Sequence, residues 1–287
     1  MQKEFNNNNF SLLLSNIENN KDGSLLSNTF SNIQKIDRGG FGILYKARHI
    51  LDLKEYAIKK ISLLKENDDV FCVNIYNKLK EVRCLSALNH KNIVRYNTSW
   101  IENIPNLSFQ EINIYIQMEL MDLNLKDYLT QNKKITLNCK KNIVENIILG
   151  INYLHSQKII HCDLKPDNIL LNLQNEIIKD VKIADFGLVI EKNLKKSVNI
   201  EYGNYIYIPP DSYENYTIKY DVYSLSIIIF EILENWETNT ERIEKILRFK
   251  SGFFQSKYPI LTKMVSEESS NRPDMEYLEN NLSNLFR

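Results

Sequence analysis

The chain has no net charge at neutral pH, because 36 Lys and Arg balance 36 Asp and Glu. Such a balance leaves no global field to draw nucleic acid or an anionic membrane, so any charged docking surface must be local. Cysteine is scarce as well. Cys72, Cys84, Cys139 and Cys162 show no C-x-x-C spacing and do not pair with the four histidines. That argues against a zinc module and against a disulfide framework, and it suits a reducing cytosol. Long apolar runs are missing too: the most hydrophobic stretch, Leu225 to Leu233, is broken by Ser226 and Glu231. It falls far short of the ~18 residues of a membrane span. No secretory signal pattern stands at the N-terminus. The expectation is a cytoplasmic protein with no nucleic-acid contact and no membrane contact. Apolar residues, by contrast, are ample: with 287 residues, 43% hydrophobic and 25% charged, the chain has enough for one large domain or two closely packed lobes.

The most informative stretch runs from Ile159 to Leu171. In it Asp163 is followed two residues later by Lys165 and five later by Asn168, between β-prone apolar pairs. The spacing suits phosphoryl transfer, which leaves a protein mainly positioning and charge stabilisation to supply. Asp163 would accept a hydroxyl proton, Lys165 would meet the transferring phosphoryl oxygens, and Asn168 would hold Mg²⁺. Singly, each is an ordinary loop residue that meets solvent. A second acidic element downstream changes the balance: Val181 to Gly187 is a short strand followed by Asp-Phe-Gly, whose Asp185 offers a second carboxylate that would ligate Mg²⁺.

Together these motifs resemble the eukaryotic protein kinases, whose catalytic loop reads H-R-D-L-K-x-x-N. Cys162 stands where that family usually has Arg. The resemblance implies an α+β, bilobal kinase fold: a small antiparallel β-sheet N-lobe with one key helix (residues 30–121) and a larger helical C-lobe (122–287). Residues 1–29, rich in Asn and Ser, read as a flexible leader. ATP and Mg²⁺ are the implied cofactors.

Strands are expected over 32–36, 43–48 and 55–61, with the glycine turn Gly39-Gly40-Phe41-Gly42 between the first two. Glycine there lets backbone N–H groups approach phosphate oxygens. The family pattern G-x-G-x-x-G-x-V reads here from Asp37 to Leu44, and its first glycine is missing. Asp37 thus sets an anionic group near the nucleotide. Tyr56-Ala57-Ile58-Lys59 is similar to the V-A-I-K strand, with Lys59 reaching the phosphates and Lys60 pointing the other way. By resemblance Lys59 pairs with Glu81 of a helix over 74–88. Strands follow over 93–101 and 112–121; by resemblance Met118 is the gatekeeper beside adenine, and the backbones of Glu119 and Met121 bond its edge. Leu44, Ala57 and Leu170 are also assigned to the nucleotide site. Helices are expected over 123–131, 137–156, 221–234, 241–249 and 274–285, the third apolar almost all round. A capping box is expected from Thr238 to Glu241. The resemblance pairs Asp211 with Arg272 as a structural ion pair.

Lys165 in Asp-Leu-Lys follows the Ser/Thr kinase pattern. Three segments resemble the kinases of the α subunit of translation initiation factor 2: Asn92 to Glu102, Ile114 to Leu120, and Thr240 to Arg248, the last matching the helix that docks their substrate. Wee-type mitotic kinases share the first. The resemblance therefore implies a serine of that α subunit as substrate, with a Wee-type kinase or a catalytically inert scaffold as alternatives, and it leaves a homodimer open. Nothing in the sequence resembles a sensor domain.

Overall fold

The computed structural model describes residues 24–39, 42–65, 68–105, 110–132, 134–191, 205–211 and 216–286. The leader ahead of Ser24, Gly40 and Phe41 of the glycine turn, and residues 192–204 of the loop after Asp-Phe-Gly lie outside the described residues. Two compact units divide the chain: Met1–Leu88 with Arg95–Leu120, and Asn89–Val94 with Met121–Arg287.

The smaller unit is a five-stranded antiparallel sheet built from β1 (Phe30–Gly39), β2 (Gly42–His49), β3 (Glu55–Lys65), β4 (Tyr96–Pro105) and β5 (Gln110–Glu119), in the order β1-β2-β3-β5-β4. On β3 the buried Ala57, Ile61 and Leu63 lie on one face by strand alternation, and Ile58 is buried on the other, against Phe30, Ala47 and Tyr115. The strand expected over 93–101 starts only at Tyr96 and runs on to Pro105, because Ile93 bridges Ile183 of the larger unit instead. Before the sheet lies helix α1 (Leu25–Thr29), and after β3 comes α2 (Asp68–Ala87), six residues longer at its start than its apolar spacing implied. Helix α1 falls within the stretch read as leader. It is held by Glu102, whose carboxylate accepts from Ser24 Oγ at 2.9 Å, from the Leu26 amide at 2.8 Å and from Trp100 Nε1 at 2.9 Å. A buried carboxylate needs donors, and the first turn of a helix has amides without acceptors, so the two needs are met together. Trp100 stacks between Phe30 and Tyr115, which extends the core over this face.

In the larger unit a short strand β6 (Leu123–Asn124) leads into α3 (Leu125–Gln131) and then α4 (Leu137–Ser156). Thr136 caps α4 by accepting from the Cys139 amide, and the face Ile143, Ile147, Ile151 and Leu154 is buried as the helical spacing requires. Strands β7 (Ile159–Ile160), β8 (Ile169–Gln174), β9 (Ile177–Ile183) and β10 (Ile190–Glu191) form two small antiparallel sheets, β6-β8-β9 and β10-β7. Helix α5 (Ile218–Leu233) is buried on all sides, and α6 (Asn239–Lys250), α7 (Pro259–Met264) and α8 (Met275–Asn280) pack around it or around α4. The last expected helix, over 274–285, breaks after Asn280 into a 3₁₀ turn. Thr238 caps α6 by accepting from the Glu241 amide, and the Glu241 carboxylate turns back to the amides of Glu237 and Thr238. Arg272 meets Asp211 at 2.6 Å and spends its other donors on the carbonyls of Ser266, Lys219 and Glu267. The structural pair expected there is present.

Glu231 on α5 is fully buried, yet it is charged chemistry. Arg242 Nη2 lies 2.6 Å from its Oε1, and the Tyr207 hydroxyl donates to both oxygens at 3.0 and 3.1 Å. Burial lifts its carboxyl from 4.5 to about 7, against the pull of Arg242 and Tyr207. A raised folded value means the folded state holds more protons between those two limits. The contribution is therefore fully present below about 4.5 and lost as pH rises toward about 7. Glu231→Gln is expected to flatten the fall in melting temperature between pH 5 and pH 7, measured by thermal denaturation. An unchanged slope would contradict the assignment.

Candidate active site

The larger unit assembles the loop after β7. His161 and Cys162 donate their amides to Asp221, at 2.9 Å to Oδ2 and 3.0 Å to Oδ1, and His155 Nε2 lies 2.8 Å from the same Oδ2. These bonds hold Cys162 in a left-handed conformation, φ 64°, which is costly for a residue with a side chain. The chain then turns so that Asp163 is buried, 8% exposed, beside the 3₁₀ turn Pro166–Asn168. Lys165 Nζ donates to Asp163 Oδ2 at 2.8 Å; Asn168 Nδ2 donates to the same oxygen at 2.9 Å and to the Asp163 carbonyl at 2.7 Å. Three of the four expected residues of this unit's centre therefore meet at one carboxylate.

Asp185, the fourth, is tied in through backbone. The Ala184 amide donates to the Asn168 carbonyl at 2.9 Å, and His161 Nε2 lies 3.0 Å from the Ala184 carbonyl. His161 Nδ1 accepts from the Asp163 amide at 3.3 Å, so the proton resides on Nε2, which donates to Ala184. The fully buried Phe186 ring packs 5.2 Å from the His161 ring. Asp185 itself has φ 62°. Burial pushes the Asp163 carboxyl above the usual range; Lys165 opposes the shift, and the negative charge of Asp185 adds to it. A proton acceptor tuned upward toward neutrality is better matched to taking a proton from a hydroxyl.

His161 and Asp221 had no role in the sequence reading. Histidine two residues before Asp163, and a lone acid at the start of an otherwise apolar helix, were the available signals.

In the smaller unit Lys59 Nζ and Glu81 Oε1 are 2.7 Å apart, with side chains 11% and 4% exposed. Lys60 points to the opposite face, toward Glu111 at 3.7 Å, as strand alternation demands. Leu44 lies opposite Lys59 in the β2–β3 register, and Met118 lies opposite Ala57 in β3–β5. The Glu119 amide is spent on the Arg95 carbonyl at 3.1 Å, so it is not the group offered to a ligand. Gly42 needs its glycine for a reason internal to the sheet: φ is 132°, and a Cβ would sit 2.2 Å from the Lys60 carbonyl oxygen. Gly39 faces open space, and Gly40 lies outside the described residues. Of the remaining assigned residues, Met121 is buried in the larger unit, and Leu170 is half-exposed between the buried Ile169 and Leu171 of β8.

Among the described residues no group of three or more His, Cys, Asp and Glu side chains is gathered to hold a metal. The donor set fits a hard cation shared with phosphate. Asn168 uses its amide nitrogen on Asp163, leaving an amide oxygen as the metal-ligating atom, and Asp185 adds a carboxylate. Mg²⁺ commonly takes only one or two such protein donors and completes its shell from phosphate and water.

This geometry is that of a phosphotransferase, and the comparisons agree. Residues 30–282 match the protein kinase domain family. The chain belongs to that family and is an ATP-dependent protein serine/threonine kinase domain. Its relatives include the interferon-induced, double-stranded RNA-activated protein kinase of Mus musculus, 31% identical over 265 residues, which covers 85% of this chain and 49% of that protein. The Wee1-like protein kinase of Oryza sativa subsp. japonica is 33% identical over 209 residues, 71% of this chain and 36% of the relative. The eIF-2-alpha kinase GCN2 of Arabidopsis thaliana is 26% identical over 306 residues, 86% of this chain and 24% of the relative. The chain thus spans about half the length of the first and less of the others.

Asp163→Asn is expected to leave ATP binding nearly intact, since the amide keeps the shape, while lowering turnover by several orders of magnitude, about 10³-fold or more. Single-turnover kinetics beside a nucleotide-binding titration would measure both. Near-normal turnover would remove Asp163 from the catalytic role.

Proposed function

We propose that the chain transfers the γ-phosphate of ATP to a serine on the α subunit of translation initiation factor 2. The transfer itself rests on the loop geometry: one buried carboxylate, Asp163, oriented by Lys165 and Asn168 and tied through His161 to the backbone preceding Asp185. Asp163 accepts the serine hydroxyl proton. Lys165, already at that carboxylate, lies where charge develops on the transferring phosphoryl group. Lys59, fixed by Glu81, meets the α and β phosphates. Asn168 and Asp185 supply oxygens to Mg²⁺, which neutralises phosphate charge when it is bound.

The choice of substrate is supported by helix α6 and by the relative named as an eIF-2-alpha kinase. The outer side of α6 leaves Leu247 51% and Phe253, just past its end, 62% exposed, with the Arg248 guanidinium 3.8 Å from the centre of the Phe253 ring. An exposed leucine, and an exposed aromatic ring under a cation, are features that a folded partner covers more readily than water does. The ordinary pairing on this helix is between Glu241 and Lys245 at 2.9 Å. Arg242, which the resemblance had put with the docking residues, is committed inward to Glu231 and Tyr207. Docking therefore falls to Leu247, Arg248 and Phe253, and holding the α subunit there would keep one serine near the phosphate. Leu247→Asp is expected to cut transfer to the α subunit by at least about tenfold, roughly 1.4 kcal/mol of binding, while a short generic peptide is phosphorylated as before. Equal loss on both would sink the docking role. Preference for a cyclin-dependent kinase over the α subunit would favour the Wee-type reading, which the rice relative supports.

We also propose that transfer does not depend on a phosphorylated activation loop. Cys162 is buried in an apolar cluster with Ile160, Ile190 and Tyr220, flanked by Leu188 and Ile208. A thiol in such surroundings offers no charge-assisted hydrogen bond to a phosphate dianion. Ser197 and Tyr202 of that loop lie outside the described residues. Phosphatase-treated enzyme is expected to retain activity to within about tenfold, as read by initial rates. A larger loss would mean that a basic residue elsewhere receives the phosphate.

A further inference from the structure

The carbonyls of Leu247, Arg248 and Phe249 near the end of α6 are answered by their own chain. Gly252 takes a left-handed φ of 85°, and the amides of Ser251, Phe253 and Gly252 reach those carbonyls at 3.1, 3.0 and 3.0 Å in turn. The same closure folds Phe253 under the Arg248 guanidinium, so the backbone holds that exposed pair in place. A lysine in the last turn of a helix ordinarily serves such carbonyls. Lys250 goes elsewhere: its Nζ donates to the Ile206 carbonyl at 3.2 Å, 44 residues away, and lies 5.4 Å from the centre of the Tyr223 ring.

That placement is costly. Burial pushes the Lys250 ammonium below its usual range, and among the described residues no carboxylate offsets the shift. The bond joins two elements with different duties. One is the last turn of α6, which faces Leu247 and, just beyond, Phe253 outward. The other is the segment 205–208, which exposes Tyr205 and buries Ile206 and Tyr207. This segment is fixed from behind as well: Ser224 Oγ donates to the Tyr207 carbonyl at 2.8 Å, and Ile208 packs on the cluster that holds Ile160 and Cys162. Cys162 directly precedes Asp163. Packed and bonded contacts therefore run from the outward turn of α6 through Lys250, the segment 205–208 and Cys162 to the loop that carries the proton-accepting carboxylate.

We propose that Lys250 is a positioning residue: by tying the last turn of α6 to the segment 205–208, it sets where a protein held at Leu247 and Phe253 presents its serine to Asp163. The inference rests on the docking reading given above. Lys250 itself touches no substrate, so binding and transfer separate. Affinity belongs to Leu247 and Phe253, whereas alignment of the docked partner belongs to the Lys250 bond. A hydroxyl held slightly out of place reacts slowly even when its protein is bound as tightly as before. The segment 205–208 keeps Ser224 and the Cys162 cluster without Lys250, so a short peptide that does not reach α6 has no need of the bond.

Two substitutions at this one position give the test. Lys250→Met keeps an aliphatic stem over Tyr223 and removes the donor, and Lys250→Arg restores a donor. Each enzyme is titrated with the α subunit of initiation factor 2 for Kd, then assayed for single-turnover transfer to the bound α subunit and for kcat/KM on a short generic serine peptide. Lys250→Met is expected to hold Kd within about twofold and peptide kcat/KM within about threefold, while single-turnover transfer to the α subunit falls by about tenfold or more. Lys250→Arg is expected to recover that transfer to within about threefold of wild type. Dividing transfer to the α subunit by transfer to the peptide within one enzyme cancels any loss of folded protein, and Lys250→Ala repeats the measurement should the Met variant not fold. Wild-type transfer by Lys250→Met overturns the proposal, as does an equal loss on both substrates or a loss carried wholly by Kd. Failure of the docking reading looks different: wild type would bind the α subunit no more tightly than Leu247→Asp does, and the proposal would fall with it.

Discussion

The catalytic loop depends on one buried carboxylate that takes no part in the chemistry. Asp221, at the start of the central helix, accepts the amides of His161 and Cys162 and the ring of His155. Without those acceptors two buried amides would lose their partners, a cost of roughly 1–3 kcal/mol each, and the left-handed turn at Cys162 would have nothing to hold it. Everything downstream follows from that turn: the orientation of His161, the placement of Asp163 against Lys165 and Asn168, and the backbone link to Ala184. A long apolar helix thus serves as the rigid mount, and a single acid at its N-terminal end is the fastening.

The same device recurs with different partners. Lys59 and Glu81 form a buried pair in the smaller unit; in the larger unit Glu231 and Arg242 do the same, and the buried Arg272 meets the half-buried Asp211. Buried ion pairs add little net stability, because desolvation offsets attraction; what they provide is a strong penalty for any arrangement that separates them. Each pair here fixes an element whose exact placement matters: the phosphate-reaching lysine, helix α6, and the segment that precedes α5.

Much of this was legible in the sequence, and the reason is spacing. Asp163, Lys165 and Asn168 sit on one loop and Asp185 follows a short strand, so local geometry alone brings the first three together and the motif reports it. The all-round apolar pattern of α5 and the one-sided pattern of α4 gave their burial directly. Arg242, placed by resemblance in a substrate-docking helix, is turned inward instead; its burial is decided by Glu231 and Tyr207, 11 and 35 residues away along the chain. The segment Trp100 to Glu102 read as a mark of ancestry, whereas Glu102 is the acceptor that orders α1. Gly42 was read for its approach to phosphate; that the Lys60 carbonyl also demands a glycine there was not legible. In all three cases the deciding contact is tertiary and carries no period.

The most direct test of the central claim is phosphate transfer from γ-labelled ATP to the purified α subunit of initiation factor 2, with the modified residue mapped by mass spectrometry. A single phosphoserine on the folded α subunit, formed at a rate that a generic protein substrate does not approach, is the result the proposed function predicts. Label that reaches generic proteins as readily as the α subunit, or no label on the α subunit at all, would contradict it.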